Sequence, residues 1–194
     1  MILAAAVLVA VIIGLVRGGS PERLANLPFR SGWIALIAFG LQIYLIYFPE
    51  PVSAGLLSPR VGLLVVSYAL LLVVIWQNRA LPGVWLIGTG LIANFAVMIL
   101  NGGYMPITPE ALAQAGFAHN AQSAAAGARV FATKDIVLSH DATIAWWLSD
   151  IFVLSPPFPI STAFSAGDVL VALGAFWFLQ NGMRVERTAA SPRA

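Results

Sequence analysis

Long runs of apolar residues, separated by short polar stretches, dominate the sequence. Five runs approach the length of a membrane span, and they cover residues 2–16, 32–48, 61–76, 81–100 and about 164–179. A transmembrane helix needs about 20 mostly apolar residues, and about 17 suffice in a thin bilayer. The pattern therefore predicts an all-α fold, a polytopic membrane helix bundle with about five transmembrane helices.

The basic residues between these runs predict the orientation of the bundle, because cytoplasmic loops of membrane proteins carry an excess of Lys and Arg. One set of connections, together with the C-terminal tail, holds Arg17, Arg23, Arg30, Arg79, Arg184, Arg187 and Arg193. The other set, residues 49–60 and 101–163, holds Arg60, Arg129 and Lys134. Five spans with the N-terminus outside satisfy this distribution.

The long outer loop, about residues 101–163, is predicted to contain helices of its own. Residues 108–110 read Thr-Pro-Glu, which combines a capping residue, proline at the first helical position and an acid in the first turn. This signal predicts a helix over residues 110–115. A second, alanine-rich helix is predicted over about residues 120–131.

One apolar stretch in this loop, residues 143–154, is too short to span a bilayer. Its adjacent indole side chains, Trp146 and Trp147, favour a position at the headgroup level. The stretch is therefore predicted to be a re-entrant or interfacial helix. If it spanned instead, the basic tail would lie outside.

The composition agrees with a membrane protein. Hydrophobic residues make up 60% of the 194 residues, charged residues 9%, and the mean hydropathy is +0.89. Soluble domains contain about a quarter charged residues. We expect a single transmembrane domain over residues 1–187, a disordered tail over residues 188–194, and the lipid bilayer and other membrane-complex subunits as partners.

Several kinds of site are not expected. The net charge of +2 comes with no basic patch containing interleaved aromatic residues, so no nucleic-acid partner is predicted. The absence of cysteine excludes disulfides and Cys-ligated metals. His140 and Asp141 have no third ligand at a useful spacing, so no metal site and no cofactor are predicted.

Polar residues gather where two apolar runs end. The fourth run ends in Asn-Gly-Gly-Tyr-Met-Pro at residues 101–106, and the last run opens with Ser-Ala-Gly-Asp at residues 165–168. If both ends emerge on one side, the loop brings Asp150 to the same place. The candidate catalytic residues are Asp150 and Asp168, and the candidate substrate-positioning or structural residues are Asn101, Gly102, Gly103, Tyr104 and Ser165.

Each aspartate has two interpretations. Asp168 follows Ser165 by three positions, so the two residues form a potential capping box; an ionisable group at the mouth of a membrane helix also indicates function. Asp150 interrupts an apolar stretch, where burial would raise its pKa, or it is an interfacial aspartate that faces water. If the two carboxyl groups lie close together, one holds a proton and the other ionises, as in aspartic proteases.

The asparagines and a glutamine in the apolar runs can have structural roles. Asn94 and Asn101 are seven residues apart, hence on one face of a helix. Asn94 and Gln42 are predicted to hydrogen-bond between helices. Asn101 either orients a substrate or caps the last carbonyls of its helix.

The chain resembles a known family over nearly its whole length. The residues that carry the match are 15–19 (Leu-Val-Arg-Gly-Gly), 101–106 and 164–170 (Phe-Ser-Ala-Gly-Asp-Val-Leu). On these residues the chain is similar to an uncharacterised family of multi-pass bacterial membrane proteins, a domain of unknown function. The resemblance implies a location in the bacterial inner membrane and brings no activity with it.

A second, local resemblance involves the C-terminal third. Asp-Ile-Phe at 150–152, Phe-Pro at 158–159 and Phe-Ser-Ala-Gly-Asp at 164–168 are similar to the end of signal peptidase II, the lipoprotein signal peptidase. This resemblance implies that Asp150 and Asp168 form an outward-facing catalytic pair. Ser165 stands where that family has Asn, and Gly167 stands where it has Ala.

Two functions follow from these observations. The first is a non-catalytic integral membrane protein, an accessory subunit or scaffold of a membrane complex with an outward-facing polar cluster. The alternative is an intramembrane aspartic hydrolase related to the lipoprotein signal peptidase. We expect the first, because a partial motif is weak support for chemistry.

Overall fold

The computed structural model describes residues 2–48, 58–117, 125–155, 157–158 and 161–184. Its α-helices are α1 (Ile2–Val16), α2 (Pro21–Ala25), α3 (Gly32–Tyr47), α4 (Pro59–Gln77), α5 (Val84–Leu100), α6 (Pro109–Leu112) and α7 (Ala166–Gly182). Its strands are β1 (Met105–Ile107), β2 (Asp135–Val137), β3 (Phe152–Leu154) and β4 (Thr162–Phe164). The tail over residues 188–194, predicted to be disordered, lies outside the described residues.

The predicted all-α bundle of about five transmembrane helices is wrong. Two small sheets are present, and α4 is the one helix in the described ranges that is both long and apolar enough to cross a membrane. The apolar helices α1, α3 and α5 have only 15, 16 and 17 residues. At 1.5 Å per residue they extend about 23–26 Å, less than the roughly 30 Å of a bilayer core.

Local signals set the ends of α1, α5 and α7. The left-handed backbone of Gly18, with φ of 79°, follows the end of α1, and that of Gly83, with φ of 82°, precedes α5. Ser165 caps α7, which leaves Phe164 in strand β4. The prediction counted residues 81–83, which precede α5, and it accepted residues 2–16 as a span although that run has only 15 residues.

The five longer helices pack side by side in the order α1, α7, α5, α4, α3. Helices α1 and α7 run in the same direction, since Gly14 and the carbonyl of Ala10 contact Met183 and Gln180, respectively. The other neighbours run antiparallel. The C-terminal ends of α1, α4 and α7 thus lie at one end of the bundle, and the segment between α5 and α7 covers the opposite end.

Backbone contact between α5 and α7 is made possible by paired glycines. A Cβ on Gly90 would overlap the carbonyl oxygen of Gly167, and a Cβ on Gly174 would lie 2.7 Å from the carbonyl oxygen of Gly83. Gly83 directly precedes α5, and the two glycines on each side of the contact are seven residues apart. The antiparallel helices therefore meet along a seam, defined here by Gly83, Gly90, Gly167 and Gly174.

The segment between α5 and α7 forms strands and short helical turns. β1 pairs in parallel with β2, with Met105 opposite Asp135, and β3 pairs antiparallel with β4, with Phe152 opposite Phe164. The predicted helix start is confirmed, because Thr108 Oγ1 accepts a hydrogen bond of 3.2 Å from the Ala111 amide. Helix α6 nevertheless ends at Leu112 and continues as a π-helical turn.

The other two helices predicted in this segment are wrong. Residues 143–154 contain a 3-10 turn, Trp146–Leu148, and strand β3, because Ala145 adopts a left-handed backbone with φ of 56° that interrupts a helix. In the alanine-rich run, residues 120–124 lie outside the described part. Residues 125–131 form a turn and a bridge from Arg129 to Ile136.

Two arginines hold the C-terminal end of α3. Arg60 donates from Nη1 to the Leu45 carbonyl at 2.9 Å and from Nε to the Gly103 carbonyl at 3.1 Å. Arg129 donates from Nη2 to the Leu45 carbonyl at 2.9 Å and to that of Ile46. The last carbonyls of a helix lack partners within it, and cations there also suit the helix dipole. These arginines are therefore structural. They attach α4 to α3, and they also attach to α3 the segment between α5 and α7, called here the outer segment after its predicted position.

The glycine seam generates a test of the helix packing. Gly90→Ala places a methyl group against the backbone of α7, so we expect the free energy of unfolding to fall by about 1–3 kcal/mol. The matched control is Gly40→Ala in α3, where nothing lies within 4 Å of an added Cβ. Alanine is the better helix former, so this variant should be about 0.5–1 kcal/mol more stable. Denaturant unfolding of both variants, followed by circular dichroism, compares them; equal stabilities would contradict the seam.

Candidate functional site

A ring of hydrogen bonds joins α5 to the start of α7. Asn94 donates from Nδ2 to Asp168 Oδ1 at 2.8 Å, and Ser165 donates from Oγ to Asn94 Oδ1 at 2.8 Å. The Asp168 amide donates to Ser165 Oγ at 3.0 Å, and the Ser165 amide donates to Asp168 Oδ2 at 3.2 Å. The predicted capping box is therefore confirmed, and Asn94 connects it to the neighbouring helix. Both carboxylate oxygens of Asp168 have structural partners.

Asn101 also has structural partners. Its Nδ2 donates to the carbonyls of Val97 at 2.7 Å and Ile144 at 2.9 Å, and its Oδ1 accepts from the Ile144 amide at 3.1 Å. The side chain thus caps α5 and fastens the following segment to it. Asn101 was predicted either to orient a substrate or to cap its helix, and the structure shows the cap.

The next three predicted residues form the turn that leads into β1. Gly102 and Gly103 adopt left-handed backbones with φ of 71° and 86°, which glycine permits at little cost. Tyr104 is buried, and the guanidinium of Arg60 lies 3.9 Å from the centre of its ring. These residues position the outer segment over the end of the bundle.

Asp150 lies in this same segment and is buried. Its amide donates to the Pro106 carbonyl at 3.2 Å, next to β1, and only 7% of the residue is exposed. Its Oδ1 atom is buried and has no hydrogen-bond partner among the described residues. The alternative of an aspartate that faces water is therefore wrong.

The environment of Asp150 favours its neutral form. Burial raises the pKa of this carboxyl well above its ordinary value, and the negative charges of Asp135 and Asp168 raise it further. Burial also raises the pKa of Asp135 to about 6, although Lys134 and a hydrogen bond from Thr133 act in the opposite direction. A buried carboxyl without a compensating partner avoids the cost of its charge by keeping its proton.

Lys134 supplies the positive charge of this region. Its Nζ atom donates to Gln42 Oε1 at 3.4 Å, and Gln42 Nε2 donates to Ser67 Oγ at 2.7 Å. Gln42 thus connects α3 to α4, as predicted, and also contacts the outer segment. Lys134, Asp135, Asp150 and Asp168 form a group of charged residues at one end of the bundle, called here the acidic cluster.

Asp150 and Asp168 are close enough for the charge of Asp168 to raise the pKa of Asp150, but the two side chains have different environments. Asp168 accepts hydrogen bonds at both oxygens, and Asp150 keeps one oxygen buried without a partner. In a hydrolytic pair, both carboxyl groups must reach the same water molecule. Here Asp168 already serves its own helix and Asn94. Among the described residues, no three metal-binding side chains come together.

A sequence profile described as a family of unknown function (DUF5317) matches residues 26–180. The chain belongs to the DUF5317 family. The predicted membership of an uncharacterised family is thus confirmed, and the match includes every residue of the acidic cluster and of the Asn94 ring. No curated protein and no solved structure matches the chain. The resemblance to signal peptidase II is not confirmed by these comparisons.

The sequence interpretation of this DUF5317 protein missed part of the site. It treated Lys134, Arg60 and Arg129 only as charges of an outer loop, and it gave Asp135 no role. The available signal was the sequence Lys-Asp-Ile-Val-Leu at 134–138, where a charged pair directly precedes a β-branched, apolar run. A β-branched, apolar run of this kind is typical of a strand, and the charged pair stands at its start.

Replacing each aspartate by asparagine should change the thermal midpoint in opposite directions. A carboxyl whose pKa is raised by folding reduces stability progressively as the pH rises above its unfolded-state pKa, because the unfolded chain releases its proton first. Asp150→Asn should therefore raise the thermal midpoint at pH 8 and change it little near pH 4. The exposed Asp141→Asn on the same segment is the control and should change neither midpoint.

Asp168→Asn should lower the thermal midpoint at pH 8, corresponding to a loss of about 1 kcal/mol of capping and dipole energy. An amide turns one acceptor into a donor, so Asp168→Asn loses one of the two hydrogen bonds that its carboxylate accepts. Thermal unfolding of the purified protein in a mild detergent at both pH values provides the comparison. A destabilised Asp150→Asn at pH 8 would show instead that the Asp150 charge is required.

Proposed function

We propose that this DUF5317 protein is a non-catalytic integral membrane protein of the bacterial inner membrane, acting as an accessory subunit or scaffold of a membrane complex. The observation that carries the proposal is the apolar surface of the edge helices. Large apolar side chains point away from the bundle on α1 and α3, for example Leu8 at 60%, Leu36 at 72% and Phe39 at 62% exposure. Soluble monomers rarely expose contiguous apolar surface on this scale.

Exposed tryptophans support the same environment. Trp33 near the start of α3, Trp76 at the end of α4, Trp85 at the start of α5 and Trp177 in the last turns of α7 are all largely exposed, and their helix ends lie at the same end of the bundle. Indole rings concentrate at the boundary between lipid and water. Arg79 lies over the Trp76 ring at 4.5 Å, as a cation at that boundary would.

The non-catalytic part of the proposal follows from the polar residues. Asp168, Ser165 and Asn101 spend their hydrogen-bonding groups on helix caps and on contacts between segments. Both oxygens of Asp168 already accept hydrogen bonds from Asn94 and Ser165, which leaves Asp150 without a second carboxylate free to activate water. This arrangement suits a rigid outer layer that supports contacts with other proteins.

Helix α3 is the surface we assign to a second subunit. It packs against α4 on one side and exposes several aromatic side chains on the other, among them Trp33, Phe39, Tyr44 and Tyr47. Aromatic residues are enriched at protein interfaces. The expected partner is a membrane helix with a complementary apolar face.

Membrane fractionation tests the first half of the proposal. The full-length tagged chain, expressed in a bacterium, should remain in the membrane pellet after an alkaline carbonate wash and should be released by detergent. A peripheral protein known to be released by carbonate is the control. Recovery of the chain in the carbonate supernatant would overturn the membrane assignment.

A photoreactive amino acid at position 36 tests the assignment of α3. In its native host, this variant should give one discrete adduct with a second membrane protein, and the same substitution at Ile92 on α5 should not. Both side chains are exposed, so lipid contact alone would label them alike. Cleavage of a lipid-modified precursor by the purified protein, abolished by Asp150→Asn or Asp168→Asn, would instead establish the hydrolase alternative.

A further inference from the structure

A large cavity opens at the end of the bundle opposite the acidic cluster. It has a volume of about 1260 Å³ and lies between the C-terminal ends of α1 and α7 and the short helix α2. Its polar lining consists of Arg17, Arg23, Asn26, Gln180, Asn181 and Arg184. Since pockets for drug-sized ligands measure roughly 300–1,000 Å³, this cavity has room for a larger polar group.

Three arginines face this cavity from three different segments. Arg17 follows α1, Arg23 lies in α2 and Arg184 follows α7. None of the described lining residues is acidic, and none of these arginines makes an ion pair within the described ranges. Arg17 donates from Nη1 to Gln180 Oε1 at a long 3.4 Å. Like charges around one cavity repel each other, so a bound anion would stabilise this arrangement.

The donor set indicates the chemistry of that anion. Guanidinium groups bind phosphate through paired, charge-assisted hydrogen bonds, and the amides of Asn26 and Asn181 add neutral donors. The floor of the cavity is apolar, with Leu27 and Met183. Directly beside Arg17, Val16 is 83% exposed and continues the apolar surface of α1. A polar pocket next to an apolar strip fits a ligand with a phosphate group and acyl chains.

We propose that this cavity binds the headgroup of an anionic phospholipid. Arg17, Arg23 and Arg184 hold the phosphate, the amide side chains hold the glycerol or headgroup hydroxyls, and the acyl chains follow the exposed face of α1. Basic pockets between helices at a membrane surface recognise such headgroups. The lipid part of this assignment rests on the proposed membrane location, whereas the phosphate part rests on the cavity alone.

Lipid titration of the purified, delipidated full-length protein in detergent tests the assignment. Phosphatidylglycerol should raise the thermal midpoint in a saturable way, and phosphatidylcholine should not. Arg23→Gln and Arg184→Gln should each weaken the apparent affinity about tenfold, because each removes a charge-assisted hydrogen bond. Neither side chain donates a hydrogen bond within the described part of the chain, so we expect both variants to fold.

Arg79→Gln is the matched control. It removes the same charge at the same end of the bundle, but the Arg79 side chain lies over Trp76 and does not line the cavity. This variant should keep the affinity of the unmodified protein. An equal loss in Arg79→Gln and Arg23→Gln would reduce the effect to general surface charge and overturn the proposal, as would an equal response to both lipids.

Inorganic phosphate separates the two possible sources of the ligand. If millimolar phosphate alone raises the midpoint and abolishes the response to phosphatidylglycerol, the cavity binds a free phosphate compound and the lipid assignment is overturned. The carbonate wash separates this inference from the proposed function. If carbonate releases the chain from membranes and the chain still binds phosphate, the proposed function is wrong and the anion site stands. If the chain stays in the membrane after the carbonate wash but phosphatidylglycerol does not raise its thermal midpoint, only this inference is wrong.

Discussion

The close approach of α5 and α7 is the constraint on which the rest of the structure depends. Only hydrogen atoms at Gly90 and Gly167 allow the two backbones to touch, and this contact fixes the register of the helices. The same register brings Asn94 to the capping box at the start of α7. Without it, the carboxylate of Asp168 would lose its partner in α5.

The end of the bundle that the segment between α5 and α7 covers contains charged groups of both signs, with different surroundings. Arg60 and Arg129 donate to the free carbonyls at the end of α3, so burial of these cations comes with hydrogen bonds and a favourable dipole. Asp150 has one buried oxygen without a partner among the described residues, and burial raises the pKa of its carboxyl well above the ordinary value. The opposite end is open and basic, so the two ends are suited to different contacts.

The predictions that were confirmed depend on residues close together in the chain. The capping box of Ser165 and Asp168, the start of α6 at Thr108 and the turn at Gly102 each follow from a few neighbouring residues. The prediction of five spanning helices was wrong because four of the five long helices have only 15–17 residues. The re-entrant helix was wrong because residues 152–154 found a strand partner later in the chain.

The sequence by itself determined that the chain is rich in apolar helices, where most of them begin, and that Asn94 and Gln42 would bond between helices. Only the tertiary structure decided that Asp150 is buried and that Lys134 reaches Gln42, 92 positions away. It also decided that three distant arginines share one cavity. Local signals act within a few residues, whereas burial and charge contacts depend on which helices become neighbours, and here α7 inserts between α1 and α5.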